Sequence, residues 1–157
     1  MLFRSDANDL PNGYLNLSVH VGFSEDLWGS YRLHVYLVEN NFQSTDSSYF
    51  QRNDFSQSGA TPDSNLIFYN LPDPIFGYAF PYVLREIITP AMEGEVIPTA
   101  STVKGKDYIR NYIIDLRNKN TSNYSIIAFV DKYGTTATAH QIENSRMVQV
   151  GKVAAWN

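Results

Sequence analysis

The chain has 157 residues, 43% hydrophobic and 14% aromatic, enough to build one core and too apolar for a disordered segment. A formal charge of -4 with no basic stripe argues against nucleic acid as a partner, and the absence of cysteine removes disulfides, thiolate zinc sites and a cysteine nucleophile. No apolar run reaches the roughly 20 residues that cross a bilayer, and the opening MLFRSDANDLPNGY has neither the basic nor the apolar region of a signal peptide. The expectation is a single domain over 1–157, not membrane-spanning, that is either cytosolic or a mature fragment of a longer exported protein.

The first clear element is 14–23, where Leu15, Leu17, Val19, Val21 and Phe23 alternate with Asn16, Ser18, His20 and Gly22. That period of two predicts a half-buried strand. Residues 31–39 repeat it with Leu33, Val35 and Leu37, and the intervening SEDLWGS predicts a hairpin in which Val19 faces Val35 and His20 faces His34.

From 40 to 65 the composition turns to Ser, Asp, Asn, Gln and Gly, with Phe42, Tyr49, Phe50 and Phe55 among them. A loop of this length is unusual unless it is functional or mobile. Short strands are then expected at 66–69 and 78–88, with a connecting loop over AMEGEVIPTASTVKGKD and a further strand at 108–116. A final hairpin pairs 123–130 with 136–150 across DKYGT, whose glycine suits a positive φ. About seven strands, no helical period and no repeat of 20–50 residues predict an all-β sandwich of antiparallel strands.

No motif of the GxSxG, P-loop, HExxH or EF-hand kind is present. The His20 and His34 pair offers two imidazoles, but no third ligand falls on their face, so no metal and no cofactor are expected. Glu93 and Glu95 flank Gly94 and read as solvated acids rather than a hydrolytic dyad. The aromatics Tyr49, Phe50 and Phe55, with Trp28, are candidate binding residues for a glycan or a protein, because rings of this kind combine apolar faces with polar tips.

The segment FPYVLREIITP raises a separate question, since Arg85 and Glu86 interrupt an apolar strand. Alternation turns the two charges to opposite faces, so they are not a catalytic pair. An arginine beside Val83 and Ile87 needs a carboxylate, for which Asp115 is the candidate, and Pro81 implies a strand edge or a bulge. Arg85, Asp115 and Glu86 are therefore assigned structural roles.

Three stretches, LHVYLVENNFQ, YVLREIITPAMEGEVIP and NYSIIAFVDKYGTTATAHQIENSRMVQVG, resemble the C-terminal domain of the outer membrane protein 28 family of Bacteroidetes cell-envelope proteins. The residues that match are Glu39 and Gln43, then Val83, Leu84, Arg85 and Gly94, then Ala128, Phe129, Val130, Asn144 and Val148. Relatives tend to carry histidine just before the VLR strand, where this chain has Phe80, Pro81 and Tyr82, so no role of such histidines transfers. The resemblance implies an immunoglobulin-like β-sandwich in an exported lipoprotein, often joined to a thioredoxin-like or other N-terminal domain, without a transferable catalytic activity. The expected function is a non-catalytic interaction or adhesion module of the cell envelope, with a carbohydrate-binding module as the alternative.

Overall fold

Strict alternation of branched apolar and polar residues dictates strands here, and the strands form two antiparallel-paired sheets. The computed structural model describes residues 2–9, 12–136 and 139–156, the first of these by backbone alone. Nine strands lie among the described residues: β1 (Leu2–Asp9), β2 (Tyr14–Gly22), β3 (Tyr31–Phe42), β4 (Phe80–Ile87), β5 (Glu95–Ile97), β6 (Asp107–Asp115), β7 (Tyr124–Lys132), β8 (Gln141–Gln149) and β9 (Val153–Ala154). One sheet has the order β6-β2-β1-β9; the other has the order β4-β3-β7-β8, with β5 also on β3. The expected all-β sandwich is what the chain forms.

The chain divides into two compact units, one made of Met1–Glu39 with Leu84–Asn157 and the other of Asn40–Val83. The first holds a single apolar core, in which Leu15, Leu17, Val19 and Val21 of β2 and Ile114 of β6 meet Leu33, Val35 and Leu37 of β3 and Ile126 and Val130 of β7. Each fully buried aliphatic side chain of this kind contributes about 1.5–3 kcal/mol relative to exposure.

The expected β2–β3 hairpin does not form. β2 lies between β1 and β6, with His20 opposite Arg4 and Ile109, whereas β3 pairs with β7, with His34 opposite Phe129. The alternation located the inward faces correctly but cannot distinguish a hydrogen-bonded neighbour from a partner across the core. What diverts the chain is the segment after β2, which keeps bonding towards 102–106. Phe23 N–H donates to Lys106 O, Gly105 N–H to Phe23 O and Leu27 N–H to Thr102 O. The buried Thr102 hydroxyl also lies 3.0 Å from the Leu27 carbonyl.

Three further expectations change. Residues 66–69 are turns rather than a strand, β5 lies within the expected connecting loop, and β1 carried no periodic signal. The last hairpin does form, β7 on β8, with a bulge that sets Val130 opposite Asn144 but Asp131 opposite Ile142. Ala137 and Thr138, at the expected start of its second strand, lie outside the described residues. Gly134 is needed in the turn for space and not for a positive φ: a Cβ there would overlap the Ala139 side chain.

Candidate functional site

The Asn40–Val83 unit is built on polar and backbone contacts. At its N-terminal edge, near the end of β3, Asn41 takes a φ of 53°, which asparagine tolerates better than most residues. Asn53 is 4% exposed, and its Nδ2 donates to the carbonyls of Phe68 (2.9 Å), Leu71 (3.3 Å) and Pro72 (3.3 Å). Its backbone N–H reaches Asp73 Oδ1 at 2.9 Å. A two-way backbone bridge between Gln51 and Ile75 closes the base, and the tight 53–61 loop needs Gly59, where a Cβ would collide with the Asp54 carbonyl.

This framework surrounds a cavity of about 390 Å³ whose walls include Phe55, Phe68, Ile75 and Tyr78 together with Arg52 and Asp54. The two charges pair at 2.6 Å with side chains 73% and 44% exposed. The Asp54 hydrogen bond holds the Arg52 guanidinium even more firmly protonated than usual.

Of the sequence-derived candidates, Tyr49 and Phe55 are exposed and Phe50 is half-buried. Only Phe55 lines the cavity. Tyr49 meets Phe42 at 69° and Phe50 meets Phe76 at 77°, edge-to-face contacts rather than a flat platform. Trp28 belongs to the other unit, where it is exposed beside a cleft of about 120 Å³ lined also by Asp26, Thr99 and Val103.

Several charged residues of the sandwich are engaged with one another. Arg85 Nε donates to Glu39 Oε2 at 2.7 Å, with both side chains partly shielded, so the carboxylate expected from Asp115 comes from β3 instead. Tyr124 is pushed up by burial and by the Glu39 charge to which its hydroxyl bonds. Asp115, at the end of β6, takes Arg117 at 2.7 Å, and that bond holds its carboxyl down at about 2. Glu86 is exposed.

Glu95 is not half of a dyad with Glu93. It accepts from Tyr112 (2.9 Å) and Tyr108 (3.2 Å) and pairs with Arg110, while Glu93 offers its carbonyl to Arg32. Burial, then the Glu95 charge, pushes Tyr108 up to about 12; burial and the Glu95 hydrogen bond raise Tyr112 as well.

One cluster was not foreseen. Asp131, 4% exposed beside the β7–β8 bulge, accepts from His34 Nε2 at 3.2 Å and from His140 Nδ1 at 2.9 Å. His34 stacks on Phe129 at 4.5 Å and 2°, and Gly94, at φ 82°, closes over its ring so tightly that a Cβ would come within 2.6 Å of Nε2. A histidine on the outward-facing set of β3 gave no sign of burial, because the cover comes from a loop sixty residues away in sequence. Among the described residues no group of three or more His, Asp or Glu is arranged to hold a metal ion, and no helix is long and apolar enough to cross a membrane.

The family-like positions thus have physical tasks. Glu39 and Arg85 pair, Gly94 and Phe129 enclose His34, and Ala128, Val130 and Val148 fill the core. Comparison with known proteins agrees with that pattern. The solved structure of HBP35 of Porphyromonas gingivalis is similar at a TM-score of 0.63 and 13% identity, over 97% of this chain and 41% of that one. The likeness shows the fold, and the chain spans less than half of that protein's length. A search of the curated proteins finds no match. The model of the family described as outer membrane protein Omp28 matches residues 6–153, nearly the whole sequence, and the chain belongs to that family of the outer membrane or cell envelope.

Proposed function

We propose that the chain is a non-catalytic interaction or adhesion module exposed at the cell envelope, with the Asn40–Val83 unit as its contact surface. The immunoglobulin-like character and the lipid-anchored parent implied by the sequence resemblance belong to this proposal. The observation that carries it is the cavity of that unit, with Phe55 exposed in its wall. The unit also presents Tyr49, Ile67 and Phe76 to solvent, the last two at 83% and 62% exposure, while Glu39, Glu95, Asp131 and their partners are tied into the sandwich. An exposed ring in the wall of a preformed hollow supports recognition, and the engaged acids do not support hydrolysis.

The test replaces 44–78 with a short Gly-Ser linker. Folding by circular dichroism should persist, and adhesion of the purified protein to immobilised polysaccharides and extracellular-matrix proteins should disappear. Unfolding of the shortened chain, or adhesion equal to that of the intact one, would overturn the reading. A carbohydrate ligand is the favoured alternative to a protein one because the unit contains a cavity as well as a surface.

A further inference from the structure

We propose that the cavity of the Asn40–Val83 unit is a binding site for a single neutral saccharide ring, held against Phe55 and hydrogen-bonded by Arg52 and Asp54. This rests on the reading of that unit as the contact surface and gives it a ligand class.

Size sets the first limit. At about 390 Å³ the hollow falls near the lower end of the range of about 300–1,000 Å³ typical of small-molecule sites. Its walls set the second. Phe55, 44% exposed, and the half-buried Phe68 and Tyr78 line it with aromatic rings, the side chains that suit the C–H faces of a pyranose.

Charge decides between the remaining classes. Arg52 and Asp54 stand side by side at 2.6 Å, so the wall has no net charge but carries strong donors and strong acceptors within one hydroxyl spacing of each other. A carboxylate ligand would be repelled by Asp54 as much as it is drawn by Arg52, and an ammonium the reverse. A vicinal diol satisfies both, one hydroxyl donating a hydrogen bond to the Asp54 carboxylate and the other accepting one from the guanidinium. The shape is preorganised, since the buried Asn53 fixes three carbonyls of 68–72 and Gly59 permits the tight 53–61 loop.

The experiment is saturation-transfer NMR on the intact chain with methyl glycosides of glucose, galactose, mannose and N-acetylglucosamine, beside glucuronic acid and glucosamine as charged analogues. At least one neutral glycoside should bind, at least about tenfold more weakly to Phe55→Ala and to Arg52→Gln, and unchanged to Trp28→Ala. Both test residues are exposed, and an amide fingerprint spectrum confirms that each variant is folded. No binding by any neutral glycoside, preference for a charged analogue, or undiminished binding by the folded variants would overturn the proposal. If glycosides fail while removal of 44–78 still abolishes adhesion, the ligand class is wrong and the contact surface stands; if that removal leaves adhesion intact, the broader reading falls as well.

Discussion

The two units of this chain are held by different physics. In the sandwich, Leu15, Leu17, Val19, Val21, Leu33, Val35 and Leu37 have no solvent exposure at all, and stability follows from apolar area removed from water. In Asn40–Val83 the buried residues are Asn53 and Ser56, both polar, and the structure follows from carbonyls gathered by one amide and from turns closed over small residues. The first kind of order tolerates surface change; the second leaves Phe55, Ile67 and Phe76 open to solvent.

That contrast is easiest to break at its strongest point. Leu37→Ala should cost about 2–5 kcal/mol in urea unfolding, because a fully buried side chain leaves a cavity between the sheets. Gly94→Ala comes next. A Cβ against the His34 ring and a φ of 82° should together cost about 1–3 kcal/mol in thermal unfolding, with a displaced imidazole resonance.

Asn53→Ala should cost a similar or smaller amount, about 1–3 kcal/mol, confined to its own unit. Limited proteolysis should open 40–83 while the melting of the sandwich is unchanged. If instead Asn53→Ala lowered the global midpoint as far as Leu37→Ala, the two units would not be separately maintained.

Arg85→Ala should cost roughly 1 kcal/mol, since the Glu39 pair is only partly shielded. A double-mutant cycle with Glu39→Gln measures the coupling.

The smallest effect is a slope. Tyr108 titrates near 10 when unfolded and about 12 when folded, so the folded state keeps its proton longer. Its contribution is fully present below pH 10 and is lost as pH rises towards 12. Tyr108→Phe should flatten the decline of the urea midpoint across that interval, and an unaltered slope would mean that neither burial nor Glu95 raises the folded tyrosine.

Sequence made the sandwich legible wherever an inward residue alternated with an outward one. The inner faces of β2, β3 and β7 were found from that period, while β5 was too short and β1 too polar to show it. Pairing was not legible, since Leu33 and Val19 look alike whether they are neighbours in one sheet or opposed across a core. Phe55 was visible as an exposed-ring candidate because it stands in a polar segment. Arg52 and Asp54 were not, because their importance depends on a hollow formed by residues up to Tyr78. Asp131 looked like the first residue of a turn; it is buried beside His34, 97 positions earlier, whose ring is itself covered by the Gly94 loop.

That sequence distance bears on the order of events during synthesis. β3 carries YRLHVYLVEN, one of the stickiest stretches of the chain, yet every strand that pairs with it is made later, and its full-length partner β7 begins only at Tyr124. Long-range pairing of this kind folds slowly, and an unpaired apolar strand invites association with other chains in the interval. The nascent protein therefore carries this strand without its full-length partner while residues 43–123 are made, and association with other chains in that interval competes with reaching this topology.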